Sequence, residues 1–133
     1  MLSLAISPCP NDTFIFCAMA NDYRLALDDV ESLNERAERG EFDVTKISVA
    51  AYGRIREKYA LLGAGGAAGF GVGPLLVASE DRAIGGRIAI PGDRTTAALL
   101  LRLLGDFETV AMRFDLIEGA VLSGDVDCGV LIH

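Results

Sequence analysis

Histidine, cysteine and tryptophan are scarce in this sequence of 133 residues. It contains one histidine (His133), no tryptophan, and three cysteines at positions 9, 17 and 128. The cysteines are odd in number and lack the CxxC spacing that is typical of zinc sites. We therefore expect reduced thiols, no metal site and a cytoplasmic location.

Long apolar runs and an excess of positive charge are also lacking. No apolar run approaches the roughly 20 residues that a membrane-spanning helix needs. The opening "MLSLAISPCP" has no basic segment, and its apolar stretch is too short for a signal peptide. The 19 acidic side chains outnumber the 12 basic ones, which gives a formal net charge of −7. This balance argues against nucleic acids and anionic membranes as partners, since both require clustered lysine and arginine.

Apolar residues make up 51% of the sequence, and they occur in short segments of alternating character. Nearly continuous runs such as "LSLAIS", "RIAI" and "CGVLI" predict buried strands. Between them, "DVESLNERAERG" has apolar residues on one helical face, and Gly40 marks its end. Because strands and helices alternate without hairpin dipeptides, the sequence predicts an α/β fold with parallel sheets covered by helices.

The segment "LLGAGGAAGFGVG" holds six glycines in thirteen residues, which predicts a loop. We place a junction between two lobes in this region, with residues 1–74 in the first lobe and 75–133 in the second. Glycines at 63, 65 and 69 come near the Gly-x-Gly-x-x-Gly spacing of dinucleotide sites, but no helix and acidic partner strand follow in βαβ order. A dinucleotide site is therefore not predicted here, and the sequence contains no phosphate-binding Gly-Lys-Ser/Thr motif.

Four segments follow strand-like runs, where open α/β sheets bind their ligands. They are "SPCPNDT", "TKIS", "PGDRTTA" and the chain end at His133. The first three offer small hydroxyl or amide side chains and the N–H groups of helix N-termini, which suit a carboxylate. The imidazole of His133 would supply a general base.

A simpler interpretation exists for each of these residues. A lone terminal histidine is usually incidental, and Cys9 between two prolines is more often a packed residue than a reactive one. The other polar candidates could each be no more than the N-cap of a helix: Asn11, Asp12, Ser48, Thr95 and Asp115.

Five motifs occur together in one order, and together they carry a resemblance. They are "SPCPNDTFIF", "FDVTKISVAAY", "GFGVGPLLVA", "IPGDRTTA" and "DCGVLIH". The sequence from Ser7 to His133 closely resembles the 1,4-dihydroxy-6-naphthoate synthase family of the futalosine pathway to menaquinone. The resemblance implies the two-lobed fold of periplasmic binding proteins of the second structural type. It also implies a lyase that converts cyclic dehypoxanthine futalosine to 1,4-dihydroxy-6-naphthoate without a metal or an organic cofactor.

The resemblance also implies roles for particular residues. Lys46-Ile47-Ser48 matches one substrate-binding segment of the family, and Thr96-Ala97 with Thr95 beside it matches another. Asn11, Asp12 and Thr13 correspond to the cleft loop of the first lobe. His133 corresponds to the histidine base that removes a proton to start the carbon–carbon cleavage. The implied ligand is a small carboxylate-bearing molecule derived from futalosine.

The sequence is about half as long as members of this family. We therefore expect a fragment or a shortened form with exposed apolar surface, prone to self-association. Three other functions stay open: a binding module that holds small carboxylates without chemistry, the related chorismate dehydratase activity, and a non-catalytic fragment that pairs with a complementary chain.

Overall fold

The computed structural model describes residues 1–79 and 84–132. The chain divides into two compact units, Met1–Gly69 and Phe70–His133. Each unit is a mixed α/β structure with its own sheet, as the sequence predicts. The limits that the sequence analysis gives for the two lobes, residues 1–74 and 75–133, remain a prediction.

The first unit is built around the parallel strand β1 (Ser3–Ile6). Strand β2 (Arg24–Leu27) pairs with one edge of β1 and the short β3 (Val44–Thr45) with the other, both in parallel. The helices are α1 (Pro10–Phe16), continued by a 3-10 turn at Cys17–Met19, α2 (Val30–Glu38) and α3 (Val49–Ile55). Ala5, Leu33 and Phe42 pack together in the core between β1 and α2.

The second unit has a four-stranded sheet in the order β4-β7-β5-β6. The strands are β4 (Leu75–Ala78), β5 (Arg87–Ile90), β6 (Glu108–Ala111) and β7 (Cys128–Leu131), with helices α4 (Thr96–Leu104) and α5 (Phe114–Ser123). Strand β5 is parallel to β6 and β7, but β4 runs antiparallel to β7. The sheet is therefore rich in parallel pairs, as the sequence predicts, and β4 is its antiparallel exception, since a local apolar pattern carries no information about the direction of a distant partner.

Three of the five candidate N-cap residues do not cap a helix, and Thr95 does. Helix α1 begins at Pro10 after Cys9, so Asn11 and Asp12 lie inside its first turn and cap nothing. Proline suits this first position because the missing N–H would have no partner there. Asp115 likewise lies inside α5, where its carboxylate pairs with the guanidinium of Arg113, and this pairing lowers the pKa of Asp115. Thr95 caps α4 as predicted, accepting from the N–H of Ala98 at 3.1 Å.

Ser3 and Asp43 form a reciprocal contact that joins the start of β1 to the approach to β3. One Asp43 carboxylate oxygen accepts from the N–H of Ser3 at 2.8 Å and from its hydroxyl at 2.7 Å. The N–H of Asp43 donates back to the Ser3 hydroxyl at 2.8 Å. The hydrogen bonds from Ser3 lower the pKa of Asp43 below the ordinary value of 3.8.

We expect this contact to make the first unit less stable in acid. Because folding lowers the pKa of Asp43, its contribution is fully present above pH 3.8 and is lost as the pH falls through the depressed folded value. Ser3→Ala removes the hydroxyl donor and should raise the pKa of Asp43 toward its ordinary value. Titration of the Asp43 carboxyl carbon by NMR measures this. An unchanged pKa in Ser3→Ala would show that the hydroxyl does not stabilise the carboxylate.

Candidate functional site

The carboxyl ends of β1 and β3 lie at the same edge of the first sheet, because the two strands are parallel neighbours. The segment "SPCPNDT" leaves β1 at this edge, and "KIS" leaves β3 beside it. The N–H of Lys46 donates to the carbonyl of Ala5 at 2.8 Å, which extends the pairing one residue beyond β3. Two of the segments singled out in the sequence therefore meet in one place.

An ion pair between Asp12 and Lys46 lies at this meeting point. The Lys46 Nζ is 2.6 Å from Asp12 Oδ1, and the two side chains are only 24% and 7% exposed. The other carboxylate oxygen of Asp12 accepts from Ser7, at 2.8 Å from the hydroxyl and at 3.2 Å from the N–H. The ammonium of Lys46 is thus fixed in position with a quarter of its surface open, where its remaining N–H bonds can donate to a carboxylate ligand.

Replacing Lys46 by methionine is expected to lower the free energy of unfolding by about 2 kcal/mol, because it leaves a buried carboxylate without its cation. Urea unfolding followed by circular dichroism measures the loss. The double variant Asp12→Asn, Lys46→Met should lose less than the sum of the two single variants. Lys58→Met is the matched control, since that lysine is exposed, and it should change stability by no more than about 0.5 kcal/mol. A Lys46→Met chain as stable as the original would contradict the proposed cost.

Ser48 is held by Asn34, a residue that the sequence analysis missed. Asn34 is completely buried on α2, and its carbonyl oxygen accepts from the N–H of Ser48 at 2.9 Å. Its amide nitrogen donates to the Ser48 hydroxyl at 3.1 Å and to Glu31 at 3.3 Å. Ser48 occupies the predicted N-cap position of α3, but its side chain makes no capping hydrogen bond. One feature of the sequence could have indicated that Asn34 is buried. It lies next to Leu33 and three residues before Ala37, on the buried face of α2.

The side chains of the other candidate residues in the first unit do not contact Asp12 or Lys46. Asn11 is exposed on α1. Thr13 is also exposed, and its hydroxyl donates to the carbonyls of Cys9 at 3.3 Å and Pro10 at 3.2 Å within the same turn. Ile47 is half-buried between the two polar members of its segment. The structure therefore brings Asp12 and Lys46 together and leaves Asn11 and Thr13 at the surface.

In the second unit, Thr95, Thr96 and Ala97 lie at the start of α4. The Thr95 hydroxyl is buried and donates to the carbonyl of Gly92 at 2.7 Å while it caps the helix. Its side chain is thus fully used in holding the turn, which favours the structural interpretation of this residue. Thr96 and Ala97 are the first two residues of α4, where backbone N–H groups attract an anion.

His133 lies outside the described residues. Strand β7, which ends at Leu131, is parallel to β5, so the carboxyl ends of both strands lie at one edge of the second sheet. The turn that leads to Thr95 leaves β5 at that edge.

The described parts of the chain hold neither a metal-binding group of side chains nor a helix that could cross a membrane. Within residues 1–79 and 84–132, no three histidine, cysteine, aspartate or glutamate side chains are grouped so that they could hold a metal ion. None of the helices described above is long and apolar enough to cross a membrane.

Comparison with known proteins gives consistent matches over almost the whole chain. The family profile for menaquinone biosynthesis matches residues 2–133. The chain is 45% identical over 142 aligned residues to a 1,4-dihydroxy-6-naphthoate synthase of Thermus thermophilus, and 44% identical over 148 to the synthase of Streptomyces coelicolor. Each alignment covers 99% of this chain but 52% of the relative, so the chain spans about half the length of these enzymes.

Two solved structures are similar to this chain. A crystal structure of an Archaeoglobus fulgidus protein is similar with a TM-score of 0.94 and 42% identity, over 99% of this chain and 53% of that one. A protein of Actinomyces odontolyticus shares the fold alone, with a TM-score of 0.52 and 18% identity over 98% of this chain and 69% of its own. From the profile match and the two curated relatives, we conclude that this chain belongs to the menaquinone biosynthesis family.

Proposed function

We propose that this chain takes part in the lyase reaction that converts cyclic dehypoxanthine futalosine to 1,4-dihydroxy-6-naphthoate. The observation that carries the proposal is the 45% identity to the T. thermophilus synthase, spread over 99% of the chain. The buried Asp12–Lys46 pair supports it, because it places a fixed cation at the ligand-binding edge of a parallel sheet.

The proposed architecture is the two-lobed fold of periplasmic binding proteins of the second type, with residues 1–74 and 75–133 in different lobes. Two compact α/β units with parallel-rich sheets support this proposal. In it, no metal or organic cofactor takes part in the reaction. We place the reaction in the cytoplasm.

The proposed substrate contacts come from both units. Lys46 donates a charged hydrogen bond to the substrate carboxylate, while Ile47 contributes an apolar surface and Ser48 a hydroxyl that Asn34 orients. Thr96 and Ala97 offer backbone N–H groups at the start of α4, and Thr95 shapes that turn. Asn11, Asp12 and Thr13 lie in the first turn of α1, and Asp12 acts there through Lys46.

His133 is the proposed general base. An uncharged imidazole accepts a proton readily, which makes histidine the commonest general base in enzymes. His133 removes a proton from the substrate, and this step starts the carbon–carbon cleavage. The positive charge of Lys46 keeps the substrate carboxylate in position during the proton transfer.

A product assay tests the proposal. This chain is co-expressed with the part of the T. thermophilus synthase that the match leaves uncovered, and cyclic dehypoxanthine futalosine is supplied. We expect 1,4-dihydroxy-6-naphthoate as the product, detected by its mass. The related dehydratase activity is tested in parallel with chorismate as substrate. Turnover of chorismate alone would replace the proposed reaction, and substrate binding without any product would favour a simple binding module.

A further inference from the structure

The side-chain amide of Asn34 has one fixed orientation. The backbone N–H of Ser48 can only donate, so the group 2.9 Å from it has to be the carbonyl oxygen of Asn34. The amide nitrogen then lies 3.1 Å from the Ser48 hydroxyl oxygen and 3.3 Å from a carboxylate oxygen of Glu31. Turning the amide over would place its oxygen beside that carboxylate, where the two acceptors repel each other. Because Asn34 is completely buried, the orientation that satisfies both ends of its amide is strongly preferred.

This orientation determines how the Ser48 hydroxyl can bond. An amide N–H can only donate, so the hydroxyl oxygen accepts from Asn34 and its own hydrogen has to point elsewhere. Within residues 1–79 and 84–132, no group accepts a hydrogen bond from this hydroxyl. The Ser48 side chain is only half-buried. Its O–H is therefore left to donate to a ligand at the carboxyl edge of the first sheet.

A purely structural role for Asn34 explains only part of this geometry. A tie between α2 and the start of α3 is complete once the carbonyl oxygen of Asn34 accepts from the N–H of Ser48. A serine that precedes a helix ordinarily turns its hydroxyl oxygen toward the first N–H groups of the helix, which stabilises it. Here the hydroxyl bonds to Asn34 instead, and it makes no capping hydrogen bond to α3. Contact with a ligand gives a reason for keeping the hydroxyl away from the helix.

We propose that Asn34 is a positioning residue, which makes the Ser48 hydroxyl a hydrogen-bond donor to an oxygen of the ligand that only accepts, as in a carboxylate. Asn34 does not touch the ligand itself, because no part of it is exposed. Lys46 is fixed in a similar way, since the buried Asp12 holds its ammonium and leaves N–H bonds for the ligand. The segment 46–48 thus carries two donors, and each is oriented by a buried side chain from a different helix. This inference rests on the proposed function, in which Ser48 contacts the substrate.

Asn34→Asp tests the inference with almost no change in shape. It keeps an oxygen opposite the N–H of Ser48 but replaces the amide nitrogen by a second oxygen, so the hydroxyl donates inward and no longer to the ligand. In the co-expressed complex, KM for cyclic dehypoxanthine futalosine should rise at least about tenfold while kcat stays within about threefold. Asn21→Asp is the matched control, because Asn21 is exposed between α1 and β2, and its KM should not change.

Variants of Ser48 separate positioning from a merely structural role. Ser48→Ala removes the donor and should raise KM about as much as Asn34→Asp, whereas Ser48→Thr keeps a hydroxyl and should stay within about threefold of the original. The double variant Asn34→Asp, Ser48→Ala should exceed the worse single variant by no more than about twofold, because both changes remove the same donor. Increases in KM that multiply would overturn the inference, and so would an unchanged KM in Ser48→Ala.

Binding of 1,4-dihydroxy-6-naphthoate, measured by calorimetry, tests the same contact without turnover. Affinity losses that do not multiply, in a complex that makes no product, would reject the proposed function and leave the inference standing. Normal turnover with losses that multiply would reject the inference alone. A complex that neither turns over nor binds the naphthoate would overturn both.

Hydrogen exchange decides the matter if thermal unfolding shows that Asn34→Asp does not fold. In the unaltered complex, the side-chain N–H of Asn34 that faces Ser48 should stay protected when the naphthoate binds, because the hydroxyl keeps accepting from it. The same N–H should exchange at least about tenfold faster in Ser48→Ala, which lacks the acceptor. Equal exchange in the two complexes would overturn the inference.

Discussion

Gly129→Val is expected to destabilise the second unit by about 4 kcal/mol or more, and Gly129→Ala by about 2 to 3 kcal/mol. Gly129 lies in the middle of β7, directly beneath α5. A Cβ atom at this position would come within 2.5 Å of Ile117 Cγ2 and 2.8 Å of Val121 Cγ2. Both side chains are buried in the same apolar cluster, so neither can move into solvent to make room. Amide hydrogen exchange at Ile88 and Val130 measures the stability of this unit separately from the first.

A glycine on the same helix provides the control. Gly119 is exposed on α5, and a Cβ atom there would meet nothing within 4 Å. Gly119→Ala should therefore stabilise the helix by about 0.5 to 1 kcal/mol. Combining Gly129→Ala with Val121→Ala should cost less than the sum of the single changes, because the second removes one of the clashing methyl groups. If Gly129→Ala were as stable as the original chain, the close approach of α5 to β7 would be wrong.

Most of the secondary structure could be predicted from short-range pattern. "LSLAIS", "RIAI" and "CGVLI" became β1, β5 and β7 because continuous apolar runs of this length need burial on both faces. The antiparallel direction of β4 could not be predicted, since it depends on pairing with β7 about fifty residues later. The helix start at Pro10 was missed because Asn11 and Asp12 are both good caps, and the choice among neighbouring starts depends on tertiary contacts.

The candidate site could be predicted in part, and for a topological reason. Parallel strands align their carboxyl ends, so the segments after β1 and β3 had to lie close together, and the Asp12–Lys46 pair is the result. The burial of Asn34 was harder to predict. Asn34 belongs to α2, and the many charged residues of this helix indicate a solvent-exposed surface. Its role emerges only from its hydrogen bonds to Ser48, fourteen residues away.

The short length of β3 could not be predicted from sequence either. A strand of two residues leaves almost no pattern, and "FDVTKIS" predicts a strand without indicating how many neighbours it has. In contrast, the glycine-rich loop at residues 61–73 was evident from composition alone.

Replacing His133 by alanine is expected to lower kcat about 10²- to 10⁴-fold, the usual contribution of a positioned general base, with a much smaller change in KM. The expectation rests on the resemblance and on chain order, since His133 follows β7 by two residues and β7 shares its carboxyl edge with the turn before Thr95. It is also the only histidine in the sequence, so no other residue of this chain can supply an imidazole. Steady-state kinetics of the co-expressed complex with cyclic dehypoxanthine futalosine measures the effect.

Two further readouts separate a base from a structural residue. The acid limb of the kcat profile, which reports protonation of the general base, should disappear in His133→Ala. Added imidazole should restore part of the lost rate in His133→Ala but none in a Lys46→Met enzyme, because only the first variant lacks a proton acceptor. Full turnover by His133→Ala would disprove the assignment of the base. Loss of turnover with an unchanged acid limb and no rescue by imidazole would instead mean that His133 positions the substrate, and another group would have to accept the proton.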